Sequence, residues 1–473
     1  MPMYGLVGWM VLILCKIANG QQAYIDDLKR NQMEDMRMLM YQKIQNNATL
    51  MNAFKERVKL SSEMPTKSVK FNCPMLKSPV KPTSVHSLRP GDIDIVAAMG
   101  DSITAGTGIS AKTLPEMLIQ YRGQSFSIGG DEDIHKVSTL PNILKYYNQK
   151  LLGYSQGDGT VDSYNAHLNL AVPGNEAHDM PGQARDLVDK LRREQGVDYD
   201  NDWKMITLFI GGNDLCAVCD DYDTYSATNY INYIQEALDI LHAEVPRAFV
   251  NMVEVLDVGL LEELNDGLIC SALHTVECHC AAFPPSGDGY KRFMEEIEDY
   301  QRLTEDLVKG GRYDTKDDFT VVVQPFLKYT KPPRNDDGSP DMSFFAPDCF
   351  HFSHKGHAAA AEALWNSMLE PLGLKRTEWR LGEPLECPSE ESPYFATSKN
   401  RFTNVPKLDR ESGNTPTPSL GNGVFVAVTI GTCMTLGVVV LAATVYTIKR
   451  RSGRSNEETI GLVRDHRSFT YTT

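Results

Sequence analysis

The stretch that decides the fold is Ile93-Asp94-Ile95-Val96-Ala97-Ala98-Met99-Gly100-Asp101-Ser102, an apolar run that stops at Gly-Asp-Ser. We expect a buried strand that ends in a sharp turn and lifts the Ser102 hydroxyl to the carboxyl edge of a sheet, where open α/β sheets bind their ligands. Small residues follow at Ala105, Gly106 and Gly108 and let the backbone approach a substrate closely. Gly-Asp-Ser alone is also typical of an ordinary surface turn, so the interpretation depends on what lies downstream.

Downstream of this stretch, apolar runs alternate with amphipathic segments. Four more strands are predicted at residues 168–172, 205–210, 248–256 and 319–326, and helices at residues 178–194, 225–243, 290–308 and 354–369. Because the strands are apolar throughout and alternate with helices, they predict an α/β fold. The expected core is a mostly parallel sheet of about five strands, covered by helices on both faces.

The size and charge of the chain bound its function. With 473 residues, 42% of them hydrophobic, the chain can bury a large core. Its formal net charge is −15 at pH 7. Nucleic acid is therefore not an expected partner, because phosphate binding requires a basic face.

The N-terminal part has the pattern of an export signal. Residues 4–18 are apolar with one late lysine and precede the small-x-small site Ala18-Asn19-Gly20, so residues 1–20 are predicted to be a signal peptide. An uncleaved membrane anchor is the alternative. Residues 21–72 are polar and Met-rich with charged pairs at helical spacing, which predicts a helical lead-in to a globular domain over residues 73–382.

The C-terminal part has the pattern of a membrane anchor. Residues 383–423 are rich in Pro, Ser, Thr and Asn and are predicted to be a stalk. Residues 424–448 contain no charged residue and are long enough to cross a bilayer. The basic cluster that begins at Lys449 places residues 449–473 in the cytosol by the positive-inside rule. A single-pass type I protein of the cell membrane is expected; a removed GPI signal is the alternative, which the polar tail argues against.

Cysteine usage agrees with export. Of ten cysteines, Cys15 lies in the predicted signal peptide and Cys433 in the predicted membrane span, which leaves eight. An even number in an oxidising compartment predicts up to four disulfides, with the connectivity open. Zinc binding by the Cys216-x-x-Cys219 and Cys278-His279-Cys280 sequences is the alternative. Asn47 begins a glycosylation sequon.

Four short blocks carry the candidate chemistry, each where an apolar strand ends or just before a helix. They are Gly100-Asp101-Ser102, Pro173-Gly174-Asn175, Gly211-Gly212-Asn213-Asp214 and Asp348-Cys349-Phe350-His351. An ester hydrolase needs a nucleophile, a base, a group that orients the base, and donors for the oxyanion. Ser102 fits the nucleophile, His351 the base and Asp348 the orienting group. The N–H groups of Ser102 and Gly174 and the Asn213 amide fit the oxyanion donors.

Other residues in these blocks have structural interpretations. His354 and His357 compete with His351, but they fall at the start of the last helix, where His354 can act as a cap and His357 can pack or face solvent. Asp101 and Asp214 are expected to brace loops through bonds to the backbone. Cys349 is expected to be bridged and to tie its loop down, and the Cys216–Cys219 pair to brace the loop after Asn213.

The four blocks resemble those of the SGNH (GDSL) hydrolases, and their flanking residues resemble the animal membrane-associated phospholipase B branch of that family. The similarity covers about residues 73–387. The resemblance implies a flavodoxin-like three-layer α/β/α sandwich, no metal or other cofactor, and hydrolysis of fatty-acyl esters in phospholipids and lysophospholipids. It also implies a type I membrane protein whose hydrolase domain faces the outside of the cell, as at an apical surface. Mammalian members carry several tandem hydrolase repeats, whereas this chain has one.

Two other functions remain open from the sequence. The same constellation serves esterases of other lipid or acetyl esters, because one catalytic arrangement accepts many acyl groups. A cell-surface binding protein on an inactive hydrolase scaffold is the second alternative, although Ser102, Asn213, Asp348 and His351 are all intact.

Overall fold

The computed structural model describes residues 34–62, 71–265 and 267–400. Its central sheet has four parallel strands, β1 (Ile95–Gly100), β2 (Lys204–Phe209), β3 (Ala248–Val253) and β4 (Phe319–Gln324), in the order β1-β2-β3-β4. Nearly every strand residue is buried, as expected for a parallel sheet with both faces covered. These strands lie within three residues of their predicted bounds.

Helices cover the sheet in the described part of the chain. The α-helices are α1 (Ala48–Ser61), α2 (Ser102–Ala105), α3 (Leu140–Tyr147), α4 (Met180–Arg193), α5 (Gly212–Ala217), α6 (Ala227–Glu244), α7 (Gly267–Glu277), α8 (His279–Ala282), α9 (Asp288–Lys309) and α10 (His354–Leu369). Residues 34–45 are also helical. Helices α4, α6 and α9 pack side by side in one layer, and α3 packs against α10 in the other. The fold is a flavodoxin-like three-layer α/β/α sandwich.

The expected fifth strand is not a regular strand. Residues 168–172 run beside β1 and exchange backbone hydrogen bonds with it, including Leu170 N–H to Ala98 O at 2.9 Å, but only Asn169 forms a parallel bridge. The fully buried Arg122 donates to the outward carbonyls of Asn169 and Ala171 at 3.0 and 2.7 Å. The guanidinium therefore covers this sheet edge, and the pairing stops where Pro173 lacks an N–H.

Helices α6 and α10 begin with side-chain caps that the sequence provides. Ser226 accepts a hydrogen bond from the N–H of Asn229 at the start of α6, and Ser353 accepts one from Gly356 at the start of α10. Helix α10 runs over residues 354–369, as predicted. The cap at its start is Ser353 rather than His354, so the capping role considered for His354 is wrong.

The folded domain extends beyond both predicted boundaries. The Cys73–Cys387 disulfide joins its two ends. The stalk was predicted to begin at residue 383, but Phe395 is fully buried against Phe249 and Trp365. On the N-terminal side, α1 packs against α7 and the 3₁₀ turn Met342–Phe344. A Pro- and Ser-rich composition predicts a linker, yet burial of Phe395 and the hydrogen bond from the N–H of Ala396 to the Met368 carbonyl dock the segment on the domain.

Candidate active site

Ser102 occupies the first position of α2, directly after β1. The intervening Gly100 has φ +154°, and a Cβ there would lie 2.4 Å from the carbonyl oxygen of Phe209. Asp101 caps α2 by accepting a hydrogen bond from the N–H of Ile103 at 3.0 Å. The tight turn therefore requires glycine and presents the Ser102 hydroxyl at the carboxyl edge of the sheet.

The structure brings Ser102, His351 and Asp348 into one hydrogen-bonded chain. The Nε2 atom of His351 lies 2.7 Å from Ser102 Oγ, across 249 residues of sequence. Its Nδ1 atom lies 2.7 Å from the Oδ2 atom of Asp348. The other oxygen, Oδ1, accepts hydrogen bonds from the N–H groups of Phe350 and His351, each at 3.0 Å. All three side chains are buried. This arrangement can transfer the Ser102 proton to an oriented imidazole.

The charges of Asp348 and His351 favour proton transfer from Ser102 to the imidazole. Burial would raise the pKa of Asp348, but attraction to His351 and three hydrogen bonds outweigh burial and lower it to about 2. Burial would likewise lower the pKa of His351, but the Asp348 carboxylate raises it above its ordinary value. An ionised aspartate therefore stabilises the imidazolium that would form when His351 accepts a proton.

Contacts from distant parts of the chain hold the loop that carries Asp348 and His351. The Cys270–Cys349 disulfide ties it to α7, which confirms that Cys349 is bridged. His274, one turn along α7, has its Nε2 atom 3.0 Å from the Cys349 carbonyl oxygen. From α1, the buried Arg57 donates to the carbonyls of Met342 and Ala346 at 3.0 and 3.2 Å. Sequence reasoning missed both residues, because the polar segment around Arg57 carries no motif.

The candidate oxyanion donors belong to the turns that follow β1, residues 168–172 and β2. Asn213 follows β2 and lines the same cleft as Ser102, and its Nδ2 atom donates to the Asn175 carbonyl at 2.8 Å. Gly174 is exposed with φ +78°, in the turn after residues 168–172. Within the described residues, the N–H groups of Ser102 and Gly174 have no protein acceptor. One amide hydrogen of Asn213 also remains for a ligand.

Gln183 and Asp214 join these loops to β1. Gln183 exchanges hydrogen bonds with the N–H and carbonyl of Gly100 at 2.9 and 2.8 Å and donates to Asn175 at 2.7 Å. Both oxygens of Asp214 accept from the N–H of Ala177. Burial, and then a neighbouring carboxylate, raises the pKa of Asp214 to about 8. The bracing roles predicted for Asp101 and Asp214 are confirmed; Gln183 was missed because it lies within an ordinary amphipathic helix.

An apolar cleft opens beside Ser102 and Asn213. Its walls come from the segments that follow β3 and β4 and from the loop of His351. The apolar residues that line it include Leu256, Leu260, Leu261, Phe345, Phe350 and Trp379. Such a cleft can hold an aliphatic chain with its terminal carbonyl near Ser102.

The remaining histidines of the last block are separate from this chain of hydrogen bonds. His357 is buried, and its Nδ1 atom accepts a hydrogen bond from the N–H of Phe126 at 3.1 Å. Burial lowers the pKa of His357 to about 3, so the ring is neutral. His357 packs in the core, as one of its two interpretations predicted.

The eight cysteines in the described part of the chain form disulfides rather than a zinc site. The pairs are Cys73–Cys387, Cys216–Cys278, Cys219–Cys280 and Cys270–Cys349. Cys219, Asp220, His279 and Cys280 place their polar atoms close together, but both sulfurs of this group belong to one disulfide. The zinc alternative is therefore wrong, because a metal ligand must be a free thiolate. The two bonds from Cys216 and Cys219 fasten the segment after Asn213 to the region of α8.

Several predicted segments concern residues outside the described ranges. The signal peptide (1–20), the membrane span (424–448) and the tail (449–473) lie there. In the described part of the chain, no helix is both long and apolar enough to span a membrane. Asn47 is described and exposed, and its Oδ1 atom caps α1 by accepting from Thr49 and Leu50.

This chain is similar to several known proteins. Membrane-associated phospholipase B1 of Mus musculus is 47% identical over 340 residues, which are 70% of this chain and 23% of that protein. The Homo sapiens protein of the same name is 48% identical over 327 residues, 67% of this chain and 22% of that protein. This chain thus spans less than a quarter of the length of these relatives. A solved GDSL-like lipase structure from Parabacteroides merdae aligns with 57% of this chain and 93% of its own, at 14% identity and TM-score 0.33.

The family itself is assigned by a match that spans more than half of the chain. Residues 96–364 match the profile of the GDSL-like Lipase/Acylhydrolase family, and this range contains all four blocks. The chain belongs to the GDSL-like lipase/acylhydrolase family.

Proposed function

We propose that this protein is a serine hydrolase that cleaves the fatty-acyl ester bonds of phospholipids and lysophospholipids. The observation that carries the proposal is the chain of short hydrogen bonds from Ser102 through His351 to Asp348, which ends beside an apolar cleft. The relatives named membrane-associated phospholipase B1 support the choice of substrate.

In the acylation step, Ser102 Oγ attacks the acyl carbonyl carbon while His351 Nε2 takes the hydroxyl proton. The carbonyl π electrons move to oxygen, and the resulting oxyanion accepts hydrogen bonds from the N–H groups of Ser102 and Gly174 and from the Asn213 amide. Such a donor typically contributes about 3 kcal/mol to stabilising the transition state. Asp348 remains ionised and stabilises the imidazolium.

The oxyanion then collapses and the ester C–O bond breaks. His351 gives its proton to the departing glycerol oxygen, which leaves the fatty acyl group on Ser102. A water molecule, deprotonated by His351, attacks this acyl-enzyme, and the Ser102 oxygen leaves with the proton. Every group in both half-reactions is one of the chain's own side chains or backbone amides, so the mechanism needs no metal or other cofactor.

The shape of the cleft favours long acyl chains over acetyl groups. An acetyl group would leave most of the apolar volume beside Ser102 filled with water, whereas a fatty-acyl chain would replace that water with contacts to Leu260, Leu261 and Phe345. Each buried methylene contributes about 0.8 kcal/mol. Longer esters are therefore expected to be better substrates until the cleft is full.

We further propose the layout that the sequence indicates around this domain. A signal peptide over residues 1–20 would be removed, and residues 424–448 would anchor a type I protein whose hydrolase domain faces the outside of the cell. The relatives are named membrane-associated, which supports this location. The hydrolase domain would include α1 and run to about residue 400, with the stalk beginning after it. Asn47 would carry a glycan.

The experiment that tests the activity measures fatty-acid release from lysophosphatidylcholine by the secreted domain. Ser102→Ala should abolish turnover while the protein remains folded. Ser110→Ala is the matched control, because its hydroxyl bonds to Gln124 and takes no part in the proposed reaction. Wild-type protein without activity on any long-chain ester, or full activity of Ser102→Ala, would overturn the proposal.

A further inference from the structure

We propose that Lys331 binds the headgroup phosphate of the lipid and is the residue that favours phospholipids over uncharged esters. The inference rests on the proposed function, since it concerns the substrate of the same cleft. Lys331 lies in the segment after β4, and it lines the cleft together with Ser102 and Asn213.

Lys331 is the single basic residue among those that line the cleft in the described part of the chain. Most of the other lining residues are apolar, so nothing else in the wall offers a positive charge to an anion. Two acids complete the charged lining, Asp101 and Asp257. Asp101 accepts the N–H of Ile103, and Asp257 accepts the N–H of Gly259 at 2.9 Å, so both have structural partners.

The ammonium group of Lys331 is available for a ligand. Within the described residues it has no hydrogen bond and no carboxylate within 4.0 Å, and the residue is exposed. Lys328, three residues earlier, differs in this respect: its ammonium pairs with Glu254 at 3.0 Å and with Glu305. Asp257 attracts Lys331 electrostatically without forming an ion pair with it.

The backbone around Lys331 is fixed although its side chain is free. The hydroxyl of Thr330 donates to the Phe326 carbonyl at 2.7 Å and accepts the N–H of Trp379 at 2.8 Å. On the other side, Pro332 is buried and fixes its own φ. The lysine is thus held at a defined place in the cleft wall, while its long stem can adjust to a ligand.

The chemistry of the substrate places an anion near the nucleophile. In a phospholipid the phosphate is attached to the same glycerol unit as the scissile ester, so a carbonyl held at Ser102 brings the phosphate within several ångströms. The apolar interior cannot solvate that anion, so it must lie where a cation or water meets it. A lysine suits a phosphate as a flexible point charge. In a monoacylglycerol, a neutral hydroxyl takes that place.

The test compares lysophosphatidylcholine with a monoacylglycerol of the same acyl chain, with Lys331→Met as the variant. We expect kcat/KM for lysophosphatidylcholine to fall about tenfold more than kcat/KM for the monoacylglycerol, a modest factor because the lysine is exposed. The change should appear mainly in KM, and Lys331→Arg should restore most of the preference. Lys291→Met is the matched control, because it removes an exposed cation of α9 that does not line the cleft.

Each outcome decides the proposal. An equal fall for both substrates, or no change for either, would overturn the role of Lys331 while leaving the hydrolase activity established. Wild-type protein that hydrolyses neither substrate would instead overturn the proposed function. Inorganic phosphate is a further probe: it should inhibit lysophosphatidylcholine hydrolysis at millimolar concentration, and Lys331→Met should abolish that inhibition. Such inhibition without any Lys331-dependent preference for lysophosphatidylcholine would assign the lysine to free phosphate and overturn the headgroup assignment.

Discussion

The two halves of the candidate site are held in different ways. Ser102 sits at the end of a paired strand and at the start of a helix, so the sheet and the local turn position it. Asp348 and His351 lie in a segment without helix or strand. Besides its own local hydrogen bonds, this segment is held by Arg57, His274 and Cys270, all far away in the sequence.

This difference indicates where the site is vulnerable. The nucleophile depends on short-range features, chiefly Gly100 and the capped turn, that form whenever the sheet forms. The histidine loop, in contrast, depends on tertiary contacts that one substitution can remove without unfolding the sheet. We therefore expect substitutions at these supporting contacts to lower kcat. A substitution of equal cost in the free energy of unfolding elsewhere in the fold should lower kcat less.

The largest effect is expected from the histidine itself. His351→Ala removes the proposed base and should lower kcat by about 10⁴-fold or more, as measured by fatty-acid release. His354→Ala is the control from the same segment, and it should keep most of the activity because His354 has no part in the hydrogen-bonded chain to Ser102. If His354→Ala were the inactive variant, the assignment of the base would be wrong.

The next largest effect is expected to differ between two disulfides, Cys270–Cys349 and Cys73–Cys387. Replacing Cys270 and Cys349 together by Ser should lower the free energy of unfolding by about 2–4 kcal/mol and also lower kcat at least several-fold, because the loop of His351 loses its covalent tie. Replacing Cys73 and Cys387 should lower stability without a comparable fall in kcat, since that bond joins the domain's ends. Equal loss of kcat in both variants, measured well below their melting temperatures, would contradict the comparison.

A smaller effect is expected at Arg57. Arg57→Met leaves the carbonyls of Met342 and Ala346 without this donor and should cost about 2 kcal/mol in the free energy of unfolding. Because these carbonyls belong to the segment that carries Asp348, kcat should fall as well as the free energy of unfolding. Lys55→Met, on the exposed face of the same helix, should change neither quantity. A loss of stability with unchanged kcat would show that α1 does not position the histidine loop.

The sequence predicted the features set by neighbouring residues, such as the turn of Ser102, better than the contacts between distant residues that support the segment of Asp348 and His351. The strand ends and the four blocks could be read directly, because apolar runs and their glycine turns are local signals. The fully helical span of residues 354–369 was also correct. The support from Arg57 and Gln183 could not be predicted, since each side chain acts on backbone atoms that only the fold brings near.

Two segments show the same limit of prediction from local sequence. Residues 168–172 have the composition of a strand, but Arg122 binds their outward carbonyls and the segment forms only one bridge. Residues 383–400 have the composition of a stalk, but burial of Phe395 docks them on the domain. In both cases contacts with distant parts of the chain outweigh the local pattern.

The smallest effect concerns pH. Activity requires neutral His351, whose pKa lies above its ordinary value, so kcat/KM should fall about tenfold per unit as pH drops below that raised pKa. Asp348, with a pKa of about 2, stays ionised throughout this range. Glu277→Gln removes a carboxylate that raises the pKa of His351 and leaves Arg37, which lowers it. The acid limb should therefore move to lower pH; a move to higher pH would contradict this electrostatic account.

The most direct measurement is covalent labelling of the native protein with a serine-directed fluorophosphonate, followed by peptide mass mapping. The account predicts one adduct, on Ser102, whose formation is nearly lost in His351→Ala because the hydroxyl is then no longer activated. An unlabelled wild-type protein, an adduct on another serine, or equal labelling of His351→Ala would contradict the claim that Ser102 and His351 form one catalytic unit.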